Sequence, residues 1–259
     1  MCYGVKARTE MSLRIAKSRG SKEAADKLTR LLNPIPELDL HYANAFTHPR
    51  MVLYTDAEPH DPQLALWGLV PAWVNDADQQ RAIWNQTLNA RGESIFEKPA
   101  FRNSARGRRA IVHVEGFYEH HHFGKKAYPY FIHLKDRPHF ALAALWDIWK
   151  DPDSGTSMLT FSIVTCEGNE LLQRIHNNPK LEGPRMPVIL TEEEEAQWLA
   201  PVHNRSDEEA IMRLIKPYPN EAMAAYSVRP LLGKEGLGNS PVASDAFEYP
   251  ELILADPLA

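Results

Sequence analysis

The chain has very little cysteine: Cys2 and Cys166 are the only cysteines among its 259 residues. So few thiols cannot build a disulfide framework, and their scarcity favours a reducing compartment. The sequence also lacks an apolar run long enough to cross a membrane, and its N-terminus lacks the basic and then apolar layout of a signal peptide. We therefore expect a cytoplasmic protein that makes no membrane contact.

A large excess of charge is also missing. The formal net charge is -5 at pH 7, which argues against a general polyanion binder but leaves a local nucleic-acid groove open. Internal repeats, low-complexity segments and a clear linker are absent too. With 44% hydrophobic residues the chain can bury a substantial core. We predict one catalytic domain over 1–232 and a C-terminal extension over 233–259 that packs on the surface or is mobile.

Short apolar runs separated by turns predict strands at 51–55, 64–70, 110–118, 128–134, 139–146 and 158–165. A helix is predicted over 21–32, and the capping-box patterns of Thr191 with Glu194 and of Ser206 with Glu209 predict later helices. Because only turns separate most strands, an antiparallel or mixed sheet is favoured over a βαβ series. The predicted fold class is α+β: a single domain around a curved, largely antiparallel or mixed, barrel-like sheet with peripheral helices.

Cys2 stands directly after Met1, where a small residue allows methionine aminopeptidase to remove the initiator. The new terminus would carry an α-amine with a pKa of about 8 and a thiol with a pKa of about 8.5 on one residue. Such an aminothiol can capture an aldehyde as an imine and then close to a thiazolidine ring. The plainer interpretation is an ordinary residue in a frayed terminus.

Four further patterns place polar or aromatic groups at the ends of predicted elements. They are Asn89-Ala-Arg-Gly-Glu93, Gly116-Phe-Tyr-Glu119, Ile175-His176 followed by Arg185-Met-Pro-Val-Ile-Leu190, and Trp67-Gly-Leu-Val-Pro-Ala-Trp73. A carboxylate that ends a strand and an imidazole that ends a helical stretch are well placed to line a cleft. Taken singly, each pattern fits an ordinary structural or surface residue.

Taken together and in this order, the patterns resemble the SOS response-associated peptidase (SRAP) family, whose members sense abasic sites in single-stranded DNA. The resemblance covers most of the chain. It implies that Cys2 is the crosslinking nucleophile, that Asn89 holds its terminus, and that Glu119 and His176 are the proton-transfer groups. The DNA-binding surface that we expect on this basis contains Arg91, Trp67, Pro71, Trp73, Arg102 and Arg185.

The resemblance implies a partner and a set of activities. The expected partner is single-stranded DNA that contains abasic sites, bound by a monomer that associates with the nucleoid if the source is bacterial. The expected enzyme activity is a thiazolidine crosslink to that DNA, with self-processing that exposes Cys2 and a DNA lyase activity. No cofactor is expected. His120 and His122 share one face of a strand, too few imidazoles for a closed zinc site, so no metal is expected.

The chemistry explains why these groups are needed. An abasic sugar is mostly a closed hemiacetal, and His176, with an ordinary pKa of about 6.5, suits the proton transfer that opens it. Glu119 can take the proton of the α-amine and later help to expel water. The basic cluster Arg102–Arg109 favours contacts with DNA phosphates, although a solvated charged connection also fits it.

The chain departs from the usual family pattern in three places. Tyr3-Gly4 follows Cys2, where many members have Gly-Arg, and this removes one expected phosphate contact. His120 follows Glu119, where tryptophan is usual. The segment 177–184 before Arg185 is longer than the shortest family versions, and it could rebuild part of the site.

Two other functions remain open. A cysteine or N-terminal-nucleophile peptidase or amidohydrolase would use Cys2 with His176, and Asn89 as an oxyanion donor. A non-covalent single-strand binding module would give Cys2 no role and would bind intact and abasic strands equally. Of the three functions, only crosslinking predicts an SDS-stable complex with an abasic oligonucleotide.

Overall fold

The computed structural model describes residues 2–18, 22–32, 38–180, 182–252 and 257–258, and these form two curved sheets with helices around them. The strands are β1 (Gly4–Ala7), β2 (Leu40–Asn44), β3 (Arg50–Thr55), β4 (Gln63–Trp67), β5 (Asn89–Arg91), β6 (Arg109–Val114), β7 (Gly116–Phe123), β8 (Lys126–Leu134), β9 (Phe140–Lys150), β10 (Ser157–Glu167), β11 (Arg185–Pro187), β12 (Ile189–Leu190) and β13 (Met223–Ser227). The helices are α1 (Thr9–Ser18), α2 (Lys22–Leu32), α3 (Ala77–Trp84), α4 (Arg102–Gly107), α5 (Glu170–Ile175), α6 (Glu192–Leu199) and α7 (Arg205–Leu214).

The first sheet closes on itself as a barrel. Antiparallel pairs join β4 to β3, β3 to β6, β6 to β9 and β9 to β10, and a parallel pair joins β10 back to β4. Beyond the ring, β5 and β11 pair with β10, and β12 pairs with β9. The closed ring and the mixed strand directions confirm the predicted barrel-like α+β fold.

The second sheet has the strand order β13-β8-β7-β1-β2. The N-terminal strand β1 is an interior strand of this sheet, with Gly4 opposite Tyr118 on one side and Asn44 on the other. A terminus that is hydrogen-bonded into a sheet on both sides does not fray. The plainer interpretation of Cys2 is therefore wrong, because β1 holds this residue in place.

One predicted strand is two. The apolar run 110–118 is divided at Glu115 into β6, which belongs to the barrel, and β7, which belongs to the second sheet. The Glu115 carboxylate forms an ion pair with Arg8, whose Nη2 lies 2.6 Å from its Oε1. The chain can change sheets without a loop because this charged residue interrupts the run at the corner.

The predicted helices differ in detail from the observed ones. The helix predicted over 21–32 is confirmed as α2 over its described residues, whereas α1 was not predicted. Thr191 forms the predicted capping box with Glu194 at the start of α6. The second box was placed wrongly, because Asn204 caps α7 together with Asp207. The cap of this helix lies two residues before the predicted cap Ser206, because the Asn204 side chain accepts a hydrogen bond from the Asp207 amide.

The described part of the C-terminal extension packs on the second sheet. Ala246 forms a β-bridge with Val228, and the hydroxyl of Tyr249 donates to the Val228 carbonyl at 2.7 Å. Ala243 is buried in a small cluster with the aromatic residues Tyr42, Tyr118 and Phe131. The boundary at residue 232 stays a prediction. Within the described residues, no helix has the length and apolar character needed to span a membrane.

Candidate active site

The structure brings Cys2, Asn89, Glu119 and His176 together, although they are far apart in the sequence. Cys2 lies two residues before Gly4, the first residue of β1, which pairs with β7. Glu119 lies on β7, Asn89 begins β5, and His176 caps the C-terminus of α5. Their exposed fractions are 0%, 8%, 5% and 5% for Cys2, Asn89, Glu119 and His176. The site is therefore enclosed, and its electrostatics are those of a poorly solvated environment.

Asn89 holds the backbone of Cys2. Its Nδ2 donates to the Cys2 carbonyl oxygen at 2.8 Å, and the pairing of Asn89 with Ile163 of β10 fixes the strand that carries it. Its Oδ1 is buried and has no hydrogen-bond partner among the described residues. The amide cannot change charge, so it can hold residue 2 without taking part in proton transfer.

Glu119 is a buried carboxyl group. Desolvation raises its pKa to about 7. A carboxyl with this pKa is partly protonated and partly ionised near neutral pH. A group that must accept a proton and then return it needs both forms. Its Oε2 faces Nε2 of His176 at a distance of 3.8 Å.

His176 is held by the backbone of Arg185. Its Nδ1 lies 3.1 Å from the Arg185 carbonyl oxygen and 3.3 Å from the Arg185 nitrogen. The backbone of Arg185 therefore holds the ring through Nδ1 and leaves Nε2 directed towards Glu119. Burial lowers the pKa of His176 to about 4. The expectation of an ordinary histidine pKa is thus corrected, because the enclosed site disfavours the charged ring.

The thiol of Cys2 is also kept in its neutral form. Burial, together with the nearby carboxylate of Glu119, raises its pKa above the ordinary value. The thiol donates to the carbonyl oxygen of Gly4 at a distance of 3.6 Å. Thiolate chemistry at Cys2 therefore needs a base to remove the proton at the moment of reaction.

The predicted aromatic surface is present only in part. Trp73 is 42% exposed, whereas Trp67 has no exposed surface. The Trp67 ring packs against Phe161 and donates from Nε1 to the Leu88 carbonyl at 2.8 Å. Pro71 is buried as well. The placement of Trp67 and Pro71 on a DNA-facing surface is corrected: their side chains belong to the packed turn that presents Trp73.

Trp73 lines a groove of about 430 Å³ that reaches Asn89 and Arg91. The same groove contains Lys98 and Phe101, which sequence reasoning missed. Both residues follow the Asn89 pattern closely along the chain, and their basic and aromatic character was the available signal. The groove thus places apolar surface and positive charge next to Asn89, the residue that holds the backbone of Cys2.

The predicted arginines have different environments. Arg102 is exposed at the start of α4, and Arg91 is exposed beside Asn89. Arg185 has a side chain only 12% exposed and forms a bidentate ion pair with Glu93, each N–O distance being 2.8 Å. In the basic cluster, Arg109 is fully buried and donates to backbone carbonyls. Much of that cluster therefore stabilises the fold.

The histidine triplet after Glu119 is partly structural. His121 is buried, and its Nδ1 lies 3.0 Å from the Arg174 carbonyl oxygen. The Asn177 side chain bonds to both the amide and the carbonyl of His122. Over the part of the chain that the structure describes, no group of three or more His, Cys, Asp or Glu side chains is arranged to hold a metal ion.

Comparisons with known proteins identify the family of the chain. Residues 11–235 match the family model described as SOS response associated peptidase (SRAP). The chain is 37% identical over 176 residues to the abasic site processing protein YoqW of Bacillus subtilis, which covers 68% of this chain and 72% of YoqW. It is 30% identical over 183 residues to the abasic site processing protein HMCES of Gallus gallus, which covers 62% of this chain and 51% of HMCES.

A solved structure supports the same assignment. A protein from Bacteroides thetaiotaomicron superposes with a TM-score of 0.82 at 35% identity, over 95% of this chain and 100% of that one. The family match spans the positions of Asn89, Glu119 and His176 and begins at residue 11. The ordered sequence patterns, the fold and these matches agree, and the chain belongs to the SRAP family.

Proposed function

We propose that the protein processes abasic sites in single-stranded DNA by capturing their aldehyde as a thiazolidine on Cys2 after Met1 has been removed. The observation that carries the proposal is the hydrogen bond from Asn89 to the Cys2 carbonyl in a buried site shared with Glu119 and His176. YoqW and HMCES are named abasic site processing proteins, and this supports DNA that contains abasic sites as the substrate.

The first step is the opening of the sugar ring. The hemiacetal hydroxyl must lose a proton and the ring oxygen must gain one, so the step needs an acceptor and a donor. His176 is neutral near pH 7 and presents Nε2 as the acceptor, whereas Glu119 in its acid form is the donor. The proton that His176 gains can pass to Glu119, because the two side chains face each other.

The second step forms the imine. The neutral α-amine of Cys2 attacks the aldehyde carbon, and the Glu119 carboxylate accepts a proton from the nitrogen and passes it to the former carbonyl oxygen, which becomes a hydroxyl. The second nitrogen proton follows the same route, so the hydroxyl leaves as water and a neutral imine remains. Because the thiol is held in its neutral form by burial, the amine is the first nucleophile.

The third step closes the ring. The Cys2 sulfur adds to the imine carbon, and the thiol proton moves to the imine nitrogen by way of Glu119. One C–S bond forms and the C=N bond becomes single, so water from the second step is the sole by-product and no oxidant is needed. The closed ring resists hydrolysis better than the imine does, which gives a durable crosslink.

The site geometry is less suited to general proteolysis. A cysteine peptidase stabilises a thiolate next to a protonated imidazole. Here burial raises the pKa of the Cys2 thiol and lowers that of His176, and both shifts disfavour that ion pair. We therefore limit peptidase activity to self-processing that exposes Cys2, and we assign any lyase activity to elimination of the phosphate from the imine before the thiol closes the ring.

Substitution of Cys2 tests the proposal. With an abasic single-stranded oligonucleotide, Cys2→Ser and Cys2→Ala should still give an imine that borohydride traps, but no complex that survives heating in SDS. Cys166→Ala is the matched control because it removes the other buried thiol, and it should crosslink like the parent chain. A heat-stable crosslink of undiminished yield in Cys2→Ala would contradict the proposal.

A further inference from the structure

The carboxylate of Glu182 lies on the guanidinium of Arg91. The distance from Arg91 Nη1 to Glu182 Oε2 is 2.9 Å, and the two side chains are 47% and 82% exposed. Arg91 lies on β5, two residues after Asn89, the residue that holds Cys2. An acidic side chain therefore forms an ion pair with the cation that lies beside the proposed reaction centre.

Arg91 stands between two depressions of the surface. One is the groove of about 430 Å³ that contains Trp73 and Asn89. The other is a cavity of about 530 Å³ that contains Glu182 and Arg185. Because Arg91 lines both, a DNA backbone that extends from the groove into the cavity must pass this guanidinium.

The second arginine of the cavity is also paired with an acid. Both guanidinium nitrogens at the end of Arg185 contact the carboxylate of Glu93, and the Arg185 side chain is nearly buried. Glu93 lies in the short 3-10 turn after β5, and Arg185 begins β11. Thr165 on β10 accepts further hydrogen bonds from Arg185. The ion pair of Arg91 with Glu182 has less support, because Glu182 lies in the irregular segment 182–184 and is largely exposed.

We propose that Glu182 competes with DNA phosphates for Arg91 and so weakens the non-covalent binding of every strand, which leaves the bond to Cys2 to retain abasic strands. The inference rests on the proposed function, since discrimination of this kind matters for a protein that binds covalently. A phosphate must displace Glu182 before it can pair with Arg91, and every strand meets this barrier. An intact strand then dissociates easily, whereas an abasic strand is retained by the bond to Cys2.

The size of the effect follows from the exposure of the pair. Exposed ion pairs contribute little free energy, so removal of the Glu182 charge should tighten binding of an intact strand by about two- to fivefold. The dependence on salt should also change. An Arg91 freed from Glu182 can neutralise one more phosphate, and the slope of log K against log salt should steepen by up to about 0.7 for a single strand.

The test compares Glu182→Gln with Glu192→Gln. Glu192 is a matched control, because it is 81% exposed and pairs with Arg137, itself 47% exposed, in a different part of the surface. Binding of an intact fluorescent oligonucleotide is measured over a salt series for both variants. Glu182→Gln should bind two- to fivefold more tightly than the parent chain at low salt, and Glu192→Gln should lie close to the parent.

A double-mutant cycle with Arg91→Ala identifies the cation involved. The gain from Glu182→Gln should vanish when Arg91 is absent. Equal affinity changes in the Glu182 and Glu192 variants, or a gain that persists in Arg91→Ala, would overturn the inference. Crosslinking of an abasic strand by the parent chain is scored in parallel: its failure would count against the proposed function, whereas its success with an unchanged Glu182→Gln would count against this inference alone.

Discussion

Glu119 and His176 face each other in a site from which water is largely excluded, and burial moves both towards their neutral forms. It raises the pKa of Glu119 to about 7 and lowers that of His176 to about 4. Near pH 7 the histidine is uncharged and the carboxyl is divided between acid and base. In the proposed reaction, the reversible proton transfers of the imine steps therefore depend mainly on Glu119, with His176 as a neutral acceptor.

Glu119→Gln should slow the reaction and stabilise the fold at high pH. The amide keeps the size of the side chain but cannot transfer protons, so crosslink formation should slow by about 10²- to 10⁴-fold. The folded-state pKa of Glu119 is raised, so its contribution to stability is present below the unfolded pKa of about 4.3 and is lost as pH rises through 7. At pH 8 the variant should be more stable than the parent by roughly 3 kcal/mol.

Urea unfolding at pH 4 and pH 8 measures this difference. The two proteins should have similar stability at pH 4, where Glu119 is protonated in the folded and the unfolded chain, and they should diverge as pH rises. A variant that is no more stable than the parent at pH 8 would show that Glu119 is not a buried group with a raised pKa.

Single residues also show where sequence reasoning ends. Cys2, Asn89, Glu119 and His176 could be selected because their patterns occur in a recognisable order. Their exposure could not, since it depends on side chains brought close by distant segments. Trp67 and Trp73 flank the same turn, yet one is buried against Phe161 and the other is exposed. The pKa of His176 was missed for the same reason.

At the scale of elements, β1 positions Cys2, the proposed nucleophile. It lies between β7 and β2, so Cys2, two residues before Gly4, is held near Glu119. The close approach requires a small residue at position 4. A Cβ on Gly4 would lie 2.6 Å from Tyr42 Cε2 and 3.4 Å from Tyr118 Cβ. Tyr42 cannot easily move away, because it is buried against Tyr118 with ring centroids 5.2 Å apart.

Gly4→Ala should therefore lower the free energy of unfolding by about 1–3 kcal/mol, the usual range for overpacking. It should also reduce the rate of crosslinking, since a shifted β1 moves Cys2 away from the Asn89 amide. Gly107→Ala is the control, because a Cβ there would meet nothing within 4 Å. Thermal unfolding and a crosslinking time course measure both effects. A Gly4→Ala chain as stable and as fast as Gly107→Ala would contradict this role of β1.

The sequence predicted the types of most elements but not how some of them connect. The apolar character of residues 110–118 indicated a strand. It does not reveal that the chain passes from one sheet to the other at Glu115. That change depends on the pairing of β6 with β9 and of β7 with β1, which are contacts between distant segments. Helix α1 was missed although its buried residues have helical spacing, because one of them, Ser12, is polar and interrupts the apolar face.

At the scale of the whole molecule, the C-terminal extension covers the sheet that carries β1 and β7. Leu252 is buried, Tyr249 packs edge-on against Tyr128, and Ala243 lies in the aromatic cluster of Tyr42 and Tyr118. The extension is thus expected to stabilise the same strands that form the active site. This contribution to stability does not involve the side chains of Cys2, Asn89, Glu119 or His176.

A chain that ends at residue 232 should be less stable by roughly 3 kcal/mol or more, because several large apolar side chains lose their cover. Its crosslinking rate should fall in step with the folded fraction and should recover at lower temperature. Circular dichroism melting, paired with crosslinking at two temperatures, measures this. Unfolding at the same temperature as the full chain would show that the extension does not stabilise the fold.

With a net charge of -5, the overall field of the protein does not attract DNA. In the proposed reaction, capture depends on local cations and on the covalent bond at Cys2. This bond is the central claim, and intact mass spectrometry of the purified chain mixed with an abasic oligonucleotide tests it most directly. The account predicts a chain that begins at Cys2, joined to one oligonucleotide with the loss of one water, and a mass that borohydride leaves unchanged. The absence of an adduct, an adduct that retains Met1, or one whose mass rises by two hydrogens on reduction would contradict it.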